Sequence, residues 1–242
     1  MQRARAENQT TVVSIFVNPR QFGDPADLAQ YPRNEARDVA VCEAEGVDIV
    51  FAPGVDEVYQ PGFDSVVRVG AIAQPLEGMA RPGHFDGVAT VVAILFGLVR
   101  ADQAYFGPKD AQQIAVIRRM AIDLAIPTGV VACPTIREGD GLAMSSRNVH
   151  LSPDERRAAP ILRLALLAAR EAWENGERSA EVLRGRMLAQ LAEEPLAAVD
   201  YVSCADPGTL AELDEVSGPA LLSLAVRFGP TRLIDNEPLA QV

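Results

Sequence analysis

The chain has 242 residues, 48% hydrophobic and 23% charged, which suits a globular protein with one large core or two unequal ones and argues against wholesale disorder. Its formal net charge of −11 argues against broad attraction to nucleic acid or anionic lipid, so an anionic substrate must meet locally placed cations. Cys42, Cys133 and Cys204 are odd in number and lack metal-type spacing, which predicts a reducing, cytoplasmic compartment.

Strand-like and helix-like segments alternate through the first half of the chain. Residues 1–11 resemble the end of an amphipathic helix, and no run reaches membrane-spanning length without a charge. The predicted elements that follow are a strand at 12–17, a helix at 34–46, strands at 47–52 and 66–69, a helix from about 88, a strand at 103–107, a helix at 112–124 and a strand at 129–134. This alternation predicts a doubly wound parallel sheet covered on both faces.

The pattern changes after Pro134. A polar loop precedes predicted helices at roughly 153–174 and 179–193, and three strand-like runs follow at 199–205, 220–228 and 231–236. We therefore predict a first domain over residues 1–136 and a smaller α+β domain over residues 137–242.

Polar side chains follow several of the predicted parallel strands. Ligands of doubly wound sheets bind beyond the carboxyl ends of the strands, so these residues are expected to converge at one edge. A lysine and an arginine there could neutralise phosphate, while hydroxyls and amides could donate hydrogen bonds, as in a nucleotide site without a Walker loop. The residues are Asn18, Gln21, Lys109, Asp110, Gln113, Ser145, Ser146 and Arg147.

Several longer motifs resemble one family. They are "SIFVNPRQF", "YPR", "RPGHFDGVATVV", "YFGPKDAQQ", "PTIREGDGLAMSSRN" and "DYVSCAD". They are similar to the pantothenate synthetases, ligases that join pantoate to β-alanine using ATP, from about residue 3 to about 236. The resemblance implies a Rossmann-like sheet with a C-terminal lid domain, a pantoyl-adenylate intermediate, release of pyrophosphate and then AMP, magnesium accompanying the ATP, and a homodimer.

The resemblance also assigns roles to individual residues. Lys109 faces phosphate and is the predicted catalytic cation. The remaining ATP-binding positions are Gly107, Pro108, Asp110, Ile136, Met144, Ser145, Ser146 and Arg147. The positions for pantoate or β-alanine are Gln21, Gln113, Asn18, Arg81 and His84. Asp38 matches a position near the magnesium, but the metal ligands stay unassigned.

Each assignment has a plainer alternative. Lys109 and Asp110 could be a solvated pair at a helix start, where an acidic residue is favoured by the helix dipole. Ser145 and Ser146 could be turn or capping residues. His84 could be structural or merely exposed. Asp38 could be a solvated surface acid, and His150 is interpreted as structural.

One family signature is absent from the sequence. The family carries a His-x-Gly-His turn after its first strand, and residues 1–8 align with the end of the helix that follows it. We expect a start-site error to explain this, and we expect residues 1–242 alone to be poorly soluble and nearly inactive in adenylation. Two other functions stay open: a catalytically inactive relative that acts by binding, and another adenylate-forming member of the superfamily.

Overall fold

In the computed structural model, residues 1–240 are described, apart from the side chain of Gln30, and they form two compact units. Unit 1 contains Met1–Phe106 and Val116–Val131, and unit 2 contains Gly107–Ala115 and the chain from Ala132 onward. The functional division at residue 136 stays a prediction. The last two residues of the chain, 241 and 242, lie outside its described part.

Unit 1 alternates short strands with helices. Its elements are α1 (Gln2–Glu7), β1 (Val12–Ser14), α2 (Pro25–Gln30), α3 (Glu35–Ala44), β2 (Ile49–Phe51), α4 (Val55–Val58), α5 (Glu77–Ala80), α6 (His84–Val99), β3 (Gln103–Phe106), α7 (Ala111–Asp123, whose first five residues belong to unit 2) and β4 (Gly129–Ala132, whose last residue belongs to unit 2). β1 and β2 are parallel, with Val12 opposite Ile49, and β3 pairs with β4.

Helix α6 supplies much of the core of unit 1. Gly83 precedes it with φ of 80°, a left-handed conformation that glycine adopts without steric cost. Its sequence is almost wholly apolar, and the side chains of Phe85, Val88 and Val92 are buried, as expected of a helix enclosed on most sides. The helix thereby gives a fixed support to the segments that pack on its first turns.

Unit 2 is built from helices and an antiparallel sheet. Its helices are α8 (Pro153–Ala158), α9 (Ile161–Glu174) and α10 (Ala180–Leu191), and its strands are β5 (Ala198–Ala205), β6 (Leu221–Phe228) and β7 (Thr231–Pro238), in the order β5-β6-β7. Leu166, Leu183, Leu224 and Phe228 are fully buried in one core cluster that joins helices and sheet. The mixed α/β class is confirmed, together with the three C-terminal strands.

Two predicted elements are wrong. Residues 66–69 form no strand, because the backbone N–H of Val67 donates to the hydroxyl of Thr90 at 2.9 Å instead of to a neighbouring strand. The single helix predicted over 153–174 is two helices that meet near Pro160, which has no backbone N–H to continue the first one. Among residues 1–240, no helix is both long and apolar enough to cross a bilayer.

Candidate active site

A tight turn after β1 carries the first predicted site residues. Residues Pro19–Gln21 form a 3-10 turn, and Asn18 caps it by accepting a hydrogen bond from the Arg20 N–H at 3.2 Å. The turn packs on α6 at Gly87. A Cβ at Gly87 would lie 2.7 Å from the Gln21 nitrogen and closer still to the Arg20 carbonyl oxygen, so only glycine fits there.

The orientation of the Gln21 amide follows from its neighbours. Asn18 is buried, and its Nδ2 donates to the Gly87 carbonyl and to Gln21 Oε1, each at 3.1 Å. Its Oδ1 accepts from the Arg20 N–H and from the Tyr59 hydroxyl at 2.7 Å. Because backbone groups fix which end of Asn18 donates, Gln21 must turn its oxygen inward and present its NH₂ group outward.

Arg81 and His84 hold the backbone of the same glutamine. The Gln21 carbonyl accepts from Arg81 at 3.2 Å and from His84 Nδ1 at 2.8 Å. A carbonyl oxygen only accepts, so Nδ1 of His84 carries the proton and its Nε2 faces Arg81 at 3.4 Å. Asn18, Arg81 and His84 therefore all converge on Gln21, and we call these four residues the Gln21 cluster.

Tyr59 was not predicted as a site residue. Its ring is buried against Phe16 and Phe63, and the Arg20 guanidinium lies 4.8 Å from its centroid. Burial raises the pKa of the Tyr59 hydroxyl above its ordinary value, with Arg20 acting weakly in the opposite direction. The hydroxyl thus stays protonated at neutral pH and can donate to Asn18.

In unit 2, the predicted phosphate-facing residues form another 3-10 turn. Pro108–Asp110 follow β3 and lead directly into α7. The Lys109 ammonium forms no hydrogen bond or ion pair with any described residue, and neither does the side chain of Gln113 one helical turn later. The backbone of the turn, in contrast, is held: Asn236 Nδ2 donates to the carbonyls of Pro108 at 2.7 Å and Lys109 at 2.8 Å.

The other predicted ATP residues lie on a hairpin and the turn that follows it. The Met144 N–H donates to the Ile136 carbonyl at 2.9 Å, and Gly141 takes φ of 91° at the tip. The side chains of Ile136 and Met144 are 65% and 58% exposed, although both are large and apolar. Ser145 caps the 3-10 turn Ser146–His150 by accepting from the Arg147 N–H at 3.2 Å.

Two arginines fix this hairpin. Arg137 donates to both carboxylate oxygens of buried Asp235 at 2.6 and 3.0 Å. Arg156 donates to Glu138 and Asp140, each at 2.6 Å. Hydrogen bonds from Arg156, and then from Asn148, hold the pKa of Glu138 below its ordinary value, and Arg156 does the same for Asp140.

Comparisons with known proteins decide the family. A family model described as Pantoate-beta-alanine ligase matches residues 1–238. The chain is 59% identical over 236 residues to the pantothenate synthetase of Roseiflexus castenholzii, covering 98% of this chain and 85% of that protein. The chain belongs to the pantoate-β-alanine ligase family.

Solved structures of this family agree with the fold. The pantothenate synthetase of Thermus thermophilus has a TM-score of 0.96 at 48% identity, covering 99% of this chain and 87% of that one. The pantoate-β-alanine ligase of Francisella tularensis, solved with beta-gamma ATP and β-alanine, has a TM-score of 0.79 at 30% identity over all of this chain and 84% of that one. The predicted family and ligase class are thus confirmed.

The predicted site residues fall into two groups, one in each unit. The Gln21 cluster lies in unit 1, whereas Lys109, Gln113, Ile136 and the segment 144–147 lie in unit 2. Sequence reasoning missed Tyr59, Asp235 and Asn236. For the last two, the available signal was a pair of polar residues at the end of the strand predicted over 231–236. The partners of these residues could not be read from that signal.

Proposed function

We propose that this chain catalyses the ATP-dependent ligation of pantoate and β-alanine to pantothenate, with AMP and pyrophosphate as the other products. The pantoate carboxylate attacks the α-phosphorus of ATP, and the bond to pyrophosphate breaks. The β-alanine amine then attacks the acyl carbon of pantoyl adenylate, its proton passes to solvent, and AMP leaves. Membership of the pantoate-β-alanine ligase family supports this reaction.

One observation about Lys109 supports the adenylation step most directly. Lys109 is the only lysine among the 22 basic residues of the sequence; arginine occupies all the others. An ammonium is a compact point charge, whereas a guanidinium is a broad planar fork, so the two are not interchangeable at a phosphate. The single lysine carries an ammonium that no described residue neutralises, as a group that meets phosphate charge should.

In unit 1, the Gln21 cluster is proposed to bind pantoate. Its outward NH₂ is a donor, and the hydroxyl and carboxylate oxygens of pantoate are acceptors. Arg81 and His84 keep the Gln21 backbone in place and contribute to binding of pantoate or β-alanine. Gln113, whose amide makes no other hydrogen bond within the described residues, is a second pantoate ligand.

In unit 2, the hairpin and its following turn are proposed to bind ATP. Ile136 and Met144 are adjacent, exposed and apolar, which suits the face of an adenine ring. Ser145, Ser146 and Arg147 donate to the phosphates, as do the backbone N–H groups of Gly107 and Asp110. Pro108 has no backbone N–H, so it contributes the fixed shape of the turn instead.

Magnesium is proposed to arrive with ATP. Residues 1–240 contain no group of three or more His, Cys, Asp or Glu side chains that could cage a metal. This donor set fits Mg²⁺, which is commonly held by substrate phosphates, water and one or two carboxylates. Asp110, which is exposed and without a side-chain partner in the described residues, could supply one carboxylate, and bound magnesium would neutralise phosphate charge.

Two further features, a single doubly wound sheet and a dimeric state, are also proposed for this chain. The parallel pair β1-β2 and the pair β3-β4 are proposed to belong to one doubly wound, Rossmann-like sheet, since helices connect their strands. The active form is proposed to be a homodimer. Sedimentation of the purified protein tests the dimer: a mass near the 25.9 kDa of one chain contradicts it.

Exchange of labelled pyrophosphate into ATP tests the proposed reaction. For the form extended upstream in its reading frame, we expect exchange only when pantoate is present, and formation of pantothenate when β-alanine is added. Exchange driven equally by other hydroxy acids contradicts the substrate, and binding of pantoate without exchange points to an inactive relative. The same assay on residues 1–242 alone tests the expectation that they adenylate poorly.

A further inference from the structure

Strand β7 carries two adjacent polar side chains that reach into the proposed ATP site. Asp235 and Asn236 are 2% and 6% exposed. Asn236 uses Nδ2 to donate to two consecutive carbonyls, those of Pro108 and Lys109. Asp235 binds Arg137, the residue next to Ile136, and also accepts from the Asn236 N–H at 2.8 Å. One short stretch of strand thus holds both proposed ATP-binding segments of unit 2.

The position of the Lys109 ammonium depends on this support. A lysine side chain is a flexible four-carbon stem, and no described residue forms a hydrogen bond or ion pair with its ammonium, so the direction in which it leaves the backbone helps to set where the charge lies. The peptide groups on either side of Lys109 are those whose oxygens Asn236 binds. If either peptide group rotated, the lysine side chain would leave the backbone in another direction.

We propose that Asn236 is a positioning residue for adenylation, which aligns Lys109 with the ATP phosphates by fixing the Pro108 and Lys109 carbonyls. This inference rests on the proposed function, in which Lys109 meets phosphate. Misplacement of a charged group by a small distance costs rate even where substrate still binds, so the effect falls on the chemical step.

The contact itself can be observed without ATP, because there is only one lysine. Protein grown with lysine labelled by ¹³C at the carbonyl carbon gives a single lysine resonance, from the group that accepts from Asn236. Loss of that hydrogen bond shifts the resonance upfield. We expect the shift in Asn236→Ala and in Asn236→Thr, which keeps a residue favoured in strands. An unchanged resonance in both variants overturns the anchoring.

Glu237→Gln is the matched control. Glu237 is the next residue of β7 and is buried, but its carboxylate binds Arg163 and Arg170 of α9 rather than the turn. We expect this variant to lose thermal stability while leaving the lysine resonance in place. A resonance that moves as far in Glu237→Gln as in Asn236→Ala shows general loosening and overturns the specific role.

A double-mutant cycle in pyrophosphate exchange, measured on the form extended upstream in its reading frame, separates positioning from structural support. We expect Asn236→Ala to lower the exchange rate about 10- to 100-fold when Lys109 is present, and less than about twofold in the Lys109→Ala background. The pantoate Michaelis constant should change much less than the exchange rate, since the Gln21 cluster belongs to unit 1. Equal losses in both backgrounds overturn the proposal. If no variant shows pantoate-dependent exchange, the proposed function fails, and the lysine resonance still decides whether Asn236 anchors the turn.

Discussion

Gly87 of helix α6 lies with its bare α-carbon against the backbone of Arg20, so closely that no Cβ fits between them. This contact fixes the turn that carries Gln21, and the Gly87 carbonyl accepts from Asn18. We predict that Gly87→Ala lowers the free energy of unfolding by about 1–3 kcal/mol through overpacking, and weakens pantoate binding. Denaturant unfolding and calorimetry measure the two effects.

Gly97 provides the control for that substitution. It lies in the same helix, is exposed, and would place a Cβ in open space. Gly97→Ala should therefore raise the free energy of unfolding by about 0.5–1 kcal/mol, since alanine costs less backbone entropy in a helix. Destabilisation of similar size at both sites would contradict the close contact at Gly87.

Removal of the Tyr59 hydroxyl should weaken pantoate binding. Tyr59→Phe deletes one of two donors to Asn18 Oδ1, so Asn18 holds the Gln21 amide less firmly. We expect pantoate affinity to fall about 2- to 13-fold, the usual range for one hydrogen bond, with ATP affinity unchanged.

Tyr31→Phe is the comparison for Tyr59→Phe. The Tyr31 ring packs edge-on against Phe22, and its hydroxyl bonds to no described residue. Calorimetric titration should show normal pantoate affinity for this variant. A Tyr59→Phe protein that binds pantoate as tightly as Tyr31→Phe would show that the hydroxyl does not orient Gln21.

Arginine should not replace the single lysine. We predict that Lys109→Ala, in the form extended upstream in its reading frame, lowers turnover about 100- to 1,000-fold, with a much smaller effect on substrate affinity, because the cation acts on charge that grows in the transition state. Lys109→Arg should recover little of this loss, since a planar fork cannot occupy the place of an ammonium. Arg119→Lys, the reverse exchange on an exposed part of α7, should leave turnover unaltered. Full activity of Lys109→Arg would refute the geometric requirement.

The ion pairs of Arg156 make a pH-dependent contribution to stability. The pKa values of Glu138 and Asp140 are lowered in the folded protein, so the contribution is complete above their unfolded pKa values, near pH 4, and disappears as the pH falls through the lower folded values. Arg156→Gln should reduce the unfolding free energy by up to about 1 kcal/mol at pH 7, because all three side chains are partly exposed.

Urea unfolding between pH 3 and pH 7 checks this prediction. The curves of wild type and Arg156→Gln should converge at the acidic end. Arg157→Gln is the control, since within residues 1–240 Arg157 pairs only with a largely exposed Asp154, and its curve should follow wild type throughout. Curves for Arg156→Gln and wild type that stay parallel to pH 3 would rule out the linkage.

Local sequence signals account for much of the fold and for part of the candidate site. Runs of apolar residues predict β1, β2, β3 and β4 and the longer helices α3, α6 and α7, and the three C-terminal strands are also recovered. The short helices α2, α4 and α5 were not predicted. The helix break near Pro160 follows from the missing backbone N–H of proline. The helix-like sequence pattern across 153–174 concealed this break, so one helix was predicted there. The strand at 66–69 fails because a side chain, Thr90, takes the place of a strand partner.

The missing site residues share a physical reason. Tyr59 acts on Asn18 across 41 positions, and Asn236 acts on Lys109 across 127 positions. Such pairs arise only when the chain has folded, and neither tyrosine nor asparagine stands in a recognisable spacing with its partner. Family motifs identify residues of the site, but not the side chains that hold them.

The 127-position separation between Lys109 and Asn236 also has a consequence for biosynthesis. On the ribosome, the turn at Pro108–Asp110 is synthesised long before strand β7. The carbonyls of Pro108 and Lys109 therefore lack their Asn236 donor while much of unit 2 is still being translated. Contacts of this range form late because a long loop has to close first. In nascent chains arrested before β7, the turn that carries Lys109 should therefore lack the hydrogen bonds from Asn236. Proteolytic removal of β7 should remove the same hydrogen bonds from the mature protein.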